Sequence, residues 1–365
     1  MGLLSSRRGK SNGSFANRVP MLRWFGPGLT TTVLAAVVYF ALTGKINFSA
    51  LDSFSSQDTV VDVRPVTLDT TARRPADVLR IATFNIKVFG DKKSSTREVP
   101  GEGVDVMGTI AQVVTNFDLV AIQEIHNEGI PIQRLVDLIN ASGGRYAATV
   151  SEPIRTEGSN YTECYAYVWD DTRVRLVQNS AYVVHDNYKR MDREPMVASF
   201  EARVPPSPGQ RPFRFTMINV HTDPDKVSPK NPQNEINVLD DVFVRVRQYE
   251  YETAGEEDCI LVGDLNVATA GLQELTLIPN VVSIGGDIKT NTRKTETYDH
   301  ILIDKNMTRE FLPGRVGVLD FQRDLGLTER QALLVSDHMP LWAEFSAYEV
   351  TQVQPVASAS TRVIR

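Results

Sequence analysis

Amide, carboxylate and imidazole side chains recur where apolar runs meet loops. Asn85 closes IATFN, Glu124 closes LVAIQE, His221 closes FTMINVH, and Asp264 with Asn266 closes ILVGDLN. Asp299 and His300 open YDHILI, while Asp337 and His338 directly precede PLWAEF. A rigid sheet presents groups to a substrate from such positions. Taken singly, each has an ordinary reading, since Asp and Asn are turn formers and a lone His is usually a satisfied core or surface residue. Their recurrence is what points to chemistry. Oxygen ligands such as Glu124 and Asp337 suit Mg²⁺ or Mn²⁺, with Ca²⁺ as a third candidate, and histidines beside carboxylates suit proton transfer. Water attacking a phosphodiester needs a positioned nucleophile, charge neutralisation on the non-bridging oxygens and stabilisation of the leaving oxygen. Asp, Asn, His and a divalent cation supply all three. A Walker loop, a GxSxG elbow and a GxGxxG fingerprint are all missing from the sequence, which weakens acyl-transfer and nucleotide-driven alternatives.

The elements that must carry these groups are short apolar strands alternating irregularly with a few helices. Strands are expected at Leu79–Ile86, Leu119–Gln123, Cys164–Trp169, Arg175–Val184, Met196–Val204, Phe213–Val220, Cys259–Gly263, Tyr298–Ile303 and Pro340–Phe345. Helical spacing occurs at Val106, Ile110, Val113, Val114 and Phe117, again at Ile132, Leu135, Leu138 and Ile139, and from Gln233 to about Glu252. Several neighbouring strands are joined by connections too short for a crossover helix. The pattern therefore predicts a mixed α/β architecture of two packed sheets with helices outside, not a doubly wound parallel sheet.

Charge is divided along the 365 residues. The whole chain carries −6, yet residues 1–50 contain six basic and no acidic side chains, leaving 33 basic against 45 acidic in the remainder. The basic piece encloses the apolar run Trp24–Leu42, long enough at 1.5 Å per residue to span about one bilayer core. The expected organisation is a basic cytoplasmic segment (1–23), a transmembrane anchor (24–44), a linker (45–77), a catalytic domain (78–348) and a disordered tail (349–365). The positive-inside rule then predicts a single-pass membrane protein with its catalytic domain on the non-cytoplasmic side, or a secreted one if the segment is cleaved as a signal peptide. Cys164 and Cys259 each lie in an apolar run and read as two buried thiols, although an exported protein could bond them. Cys/His spacing for structural zinc does not occur.

The ordered set TFNIKVFG, IQE, NYTECYAYVW, REP, NVHT, GDLN, YDHI and SDHMPL resembles the endonuclease/exonuclease/phosphatase superfamily, and NYTECY, REP and DFQRDLGLTERQALLVSDHMP are most similar to deoxyribonuclease I. The resemblance implies an α/β four-layer sandwich of two mixed β-sheets flanked by helices, preceded here by the N-terminal transmembrane helix, with the active site along the edge between the sheets. By motif, Glu124 would bind the divalent metal with Asn85 and Asp337 close to it. His221 would pair with Glu163, and His338 with Asp299. Asp264 and Asn266 would hold the phosphate and the attacking water. Arg193, Tyr161 and Lys87 fall where deoxyribonuclease I touches DNA. His126 stands in place of an arginine, the stretch after His221 is longer, and the disulfide that follows the GDxN strand has no counterpart.

A metal-dependent endonuclease acting on DNA is the reading these features favour. The alternative is a phosphodiesterase or phosphatase of the same chemistry acting on a phospholipid headgroup or inositol phosphate, and a third is a catalytically inactive binding module. DNA is the expected substrate and the membrane the expected attachment; no protein partner is inferred.

Overall fold

The computed structural model describes residues 66–68, 74–95, 99, 101–155, 162–231 and 234–350. The strands in chain order are β1 (Val78–Phe89), β2 (Leu119–Ile125), β3 (Tyr146–Val150), β4 (Ile154–Arg155), β5 (Thr162–Asp170), β6 (Val174–Leu176) and β7 (Tyr182–Val183), followed by β8 (Met196–Ala202), β9 (Arg214–His221), β10 (Cys259–Asp264), β11 (Val281–Ser283), β12 (Asp299–Asp304), β13 (Phe311–Val318) and β14 (Leu341–Ser346). The α-helices are α1 (Asp91–Ser95), α2 (Val106–Val114), α3 (Ile130–Ala141), α4 (Ile236–Ala254), α5 (Phe321–Asp324) and α6 (Glu329–Val335).

Two mixed sheets form. One runs β13-β14-β1-β2-β5-β3 with β4 on β5, and the other runs β11-β12-β10-β9-β8-β6 with β7 on β8. Alternation along the pleat explains the layering. In β1, Leu79 and Ile81 face the core between the sheets with Tyr167, Phe200, Phe215 and Phe345, whereas Phe84 and Ile86 face outward to Ile110, Leu135 and Val335 of the helices. On the other side, Ile218, Val220 and Leu261 pack against Leu239, Val242 and Phe243 of α4. Helix on sheet on sheet on helix is the expected sandwich.

The topology collects the polar strand ends at one rim. β1 and β2 are parallel, as are β9 and β10, so Asn85, Glu124, His221 and Asp264 lie near the same end. β12 and β14 run antiparallel to β10 and β1, so their beginnings reach that rim, with Asp264 opposite Asp299. Gly263 permits the close approach that this requires. Its φ is +145°, and a Cβ there would stand 1.9 Å from the Val220 carbonyl oxygen.

The strand expected over Arg175–Val184 divides into β6 and β7, because Asn179 takes a φ of +60° between them. β3, β4, β11 and β13 escaped the sequence. β13, FLPGRVGV, carries a Pro and two Gly residues that read as a loop, and it sits at a sheet edge where they are tolerated. The packed unit also reaches past 78–348. Val66 donates its N–H to the Val316 carbonyl, and Glu349 donates its own to Arg211.

The membrane localisation is corrected. The run 24–44 lies outside the described residues, and among those residues no helix is long and apolar enough to cross a membrane. The longest, α4, has 19 residues but carries Asp240, Asp241, Arg245, Arg247, Glu250 and Glu252, charges that a bilayer core does not accept. Cys164 and Cys259 are both buried free thiols.

Candidate active site

The rim is organised around the Asp264 carboxylate. Asn85 Nδ2 donates to Asp264 Oδ2 at 2.9 Å and to Glu124 Oε1 at 3.0 Å, tying the two sheets together through one amide. Glu124 sits on a backbone with φ +60°, a conformation costly for a non-glycine residue and common at functional sites. That turn lets its Oε2 accept the Val88 N–H at 2.8 Å. Asn266, at φ +52°, donates its N–H to Asp264 Oδ1 at 3.0 Å and its side-chain amide to the Thr222 carbonyl at 3.0 Å.

Two histidines flank Asp264, each held from behind by a carboxylate. His221 Nδ1 lies 3.1 Å from Glu163 Oε2, and His338 Nδ1 lies 2.8 Å from Asp299 Oδ2. Their Nε2 atoms both face Asp264 Oδ2, at 3.8 Å for His221 and 3.5 Å for His338. Carboxylates at Nδ1 direct Nε2 into the cleft. Burial works against charge on His338, yet Asp299 and Asp264 outweigh it and push its pKa up to about 10. Burial likewise opposes the charge of Asp264, but His338, His221 and Asn85 hold its carboxyl below the usual range. Burial also pushes the Asp299 carboxyl up, so the Asp299–His338 pair keeps a proton across neutral pH. Glu163, despite burial, is held low by His221 and Arg193.

The remaining expected residues divide. Asp337 and Lys87 form an ion pair at the mouth and line a cleft of about 310 Å³ with His338, Tyr298, Asn291 and Arg293. Arg193, expected at DNA phosphates, is only 7% exposed and lies beneath the rim. Its Nη1 donates to Glu163 Oε1 at 3.2 Å, and its Nε and Nη2 donate to the His221 and Thr222 carbonyls at 3.1 and 2.9 Å. Tyr161 lies outside the described residues. His126 sits on a backbone carbonyl, with Nδ1 3.2 Å from Thr162 O. His300 is buried between the Ser283 hydroxyl and the Val267 carbonyl, away from the cleft.

Residues that went unread hold this arrangement together. Ser336 donates its hydroxyl to the Asn85 carbonyl at 2.7 Å and accepts the N–H groups of Lys87 and His338 at 3.2 and 3.1 Å, which locks SDH against β1. Gln123 bridges Thr83 and Asn219 at 3.0 and 2.6 Å, linking the sheets under the site. Ser336 could have been found from its place in SDHMPL. Lys93, half-buried near Glu124 and Asp337 with its pKa lowered to about 8 by burial, also went unread, although α1 follows the rim end of β1 directly.

The donor atoms at the rim are oxygens, the chemistry a hard divalent cation takes, although among the described residues Glu124, Asp264 and Asp337 are not gathered into one coordination shell and Asp337 is paired with Lys87. Glu124, Asp264 and Asp337 offer carboxylate oxygens, and the buried Asn85 Oδ1 has no hydrogen-bond partner.

No family model matches the chain. Deoxyribonuclease-1-like 1 of Homo sapiens is 29% identical over 288 residues, spanning 75% of this chain and 88% of that protein. Deoxyribonuclease-1 of Sus scrofa is 28% identical over 280 residues, 72% of this chain and 90% of the other. The chain is similar to deoxyribonuclease I and its relatives. Deoxyribonuclease gamma of Rattus norvegicus, 29% identical over 283 residues and covering 72% of this chain and 83% of its own, extends the resemblance. Among solved structures, the human nocturnin catalytic domain with a bound sulfate anion superposes with a TM-score of 0.50 at 15% identity, over 78% of this chain and 97% of that one, a likeness of fold alone. Relatives and site chemistry together make the protein a hydrolase acting on phosphoester bonds.

Proposed function

We propose that the protein is a metal-dependent endonuclease that hydrolyses phosphodiester bonds in DNA. The convergence of two carboxylate-backed imidazoles on the single Asp264 oxygen carries this reading. The deoxyribonuclease relatives favour DNA among phosphodiesters.

Glu124, Asn85 and Asp337 would hold Mg²⁺ or Mn²⁺, which supplies charge neutralisation on a non-bridging phosphate oxygen and a more acidic bound water. His338, kept protonated by Asp299 and Asp264, faces the cleft as a cationic donor and suits the phosphate or the leaving oxygen. His221, its Nδ1 held by Glu163, presents Nε2 as the acceptor for a proton from water. Asp264 stays ionised between them, and with Asn266 it positions the nucleophile. Arg193 is a positioning residue, because it bonds both the Glu163 carboxylate of β5 and the His221 carbonyl of β9. Lys87 and Arg293 at the cleft mouth are the cations best placed for flanking phosphates.

The test is nicking of supercoiled plasmid by the purified protein with Mg²⁺ or Mn²⁺. Chelator and Asp264→Ala should each abolish it, and His221→Ala or His338→Ala should each lower turnover by about 10²-fold or more. Nicking that survives chelator or Asp264→Ala would overturn the mechanism. Cleavage of a phospholipid headgroup with DNA untouched would overturn the substrate.

A further inference from the structure

A second acidic cluster lies at the opposite end of the sandwich. Asp258 immediately precedes β10, six residues before Asp264, which sets it about 20 Å from the catalytic rim at strand spacing. Glu310 immediately precedes β13, and Glu349 follows β14. Ligand oxygens of the three carboxylates lie within 4.8 Å of one another, although Asp258 belongs to one sheet and the other two to its partner.

The surroundings prepare these oxygens without satisfying them all. Glu310 Oε1 accepts the Val350 N–H at 2.6 Å, and Glu349 Oε1 accepts the Arg214 N–H at 3.0 Å. Glu310 Oε2 has no hydrogen-bond partner although the residue is only 2% exposed, and the Thr308 hydroxyl lies against Asp258, itself 7% exposed. A buried carboxylate oxygen without a partner is costly, and an ion is one of the few groups that satisfies several such oxygens at once. A cavity of about 360 Å³, lined by Glu256, Asp258, Glu349 and Arg214 among others, opens beside them and has room for water ligands. Arg214 does not fill the need, because its Nε sits 3.5 Å from Glu256 Oε2. Burial, with Glu310 and Glu256, pushes the Asp258 carboxyl up to about 9, as expected of carboxylates gathered without a cation.

We propose that Asp258, Glu310 and Glu349 form a structural site for a hard divalent cation of the Ca²⁺ class, which fastens the two sheets at the end remote from catalysis. All the ligands are oxygens, and their irregular arrangement suits Ca²⁺, which tolerates variable geometry, better than Mg²⁺ or a thiolate- and imidazole-seeking metal. Binding would displace protons from the cluster and join the start of β10 to the β13–β14 pair. This is independent of the proposed function, since no cluster residue touches the rim.

The experiment is thermal unfolding of the full chain, stripped with chelator and titrated with CaCl₂ under excess Mg²⁺. Ca²⁺ should raise the midpoint saturably, by about 5 °C or more. Glu310→Gln should abolish that rise while melting no lower than the wild type in chelator, because it also removes like-charge repulsion. Glu349→Gln, at the less buried ligand, should shift the Ca²⁺ midpoint at least about tenfold even if Glu310→Gln folds poorly. Asp264→Asn should keep the full response. An equal Ca²⁺ response in Glu310→Gln or Glu349→Gln and the wild type would overturn the site. So would loss of the response in Asp264→Asn, or a wild-type midpoint insensitive to Ca²⁺, which would leave the cluster held by protons.

Discussion

His338 concentrates the electrostatics of the rim in one side chain. Its proton is bound more tightly folded than unfolded, where an imidazole titrates near 6.5. The stability it contributes is therefore complete below about pH 6.5 and is lost as pH rises through about 10. Melting in chelator from pH 6 to 10 should show the wild type losing on the order of 1–3 kcal/mol more than His338→Gln. Parallel pH profiles for the two proteins would show that the Asp299–His338 pair carries no extra proton. Asp264 gives the complementary sign: its depressed pKa keeps it ionised throughout that range, so the alkaline loss belongs to the histidine.

At the scale of elements, the rim depends on how β9 and β10 meet. Register places Asp264 beside His221 and opposite Asp299, and Gly263 lets the strands close there. Gly263→Ala would drive a Cβ into the Val220 carbonyl and force an L-residue onto φ +145°. We expect it to destabilise by about 3 kcal/mol or more and to disable the site even where it folds; an unchanged melting midpoint would show that β10 relaxes freely. On the other side, α6 is started by a capping box of Thr328 and Gln331 and ends at Ser336, whose hydroxyl docks SDH onto β1. The two histidines thus reach one cleft from different sheets, each fixed by its own strand or helix terminus.

For the whole molecule, charge sets how DNA would be held. Outside residues 1–50 the chain carries 45 acidic against 33 basic side chains, which argues against a broad basic face. Lys87 and Arg293 supply local cations at the cleft, and Arg193 is engaged below it. Two phosphate contacts predict a slope of about −2 for log affinity against log salt. Duplex DNA binding by the Asp264→Asn protein, followed by anisotropy across a salt series, checks this. A slope steeper than about −6 would mean a basic surface wider than the cleft.

The candidate site residues were legible because each stands where a short apolar strand meets a loop, at its end or at its start, and such junctions are local features of sequence. Asn85, Glu124, His221, Asp264, Asp299 and Asp337–His338 could be named without knowing their neighbours in space. Fold class was legible for the same reason, since strand runs with short connections exclude a doubly wound sheet. Pairing was not legible from local pattern. Glu163 and His221 are 58 positions apart and meet at 3.1 Å only because β5 starts, and β9 ends, at the same rim. The motif resemblance alone suggested that pair, and no local signal disclosed that Arg193 would be buried beneath it. β13 hid behind its Pro and Gly, which an edge strand tolerates once β14 lies beside it. The gathering of Asp258, Glu310 and Glu349 belongs wholly to tertiary structure. Their separation in sequence is erased by sheet packing, and what makes them notable, carboxylates gathered at a largely buried place, exists only after the two sheets close.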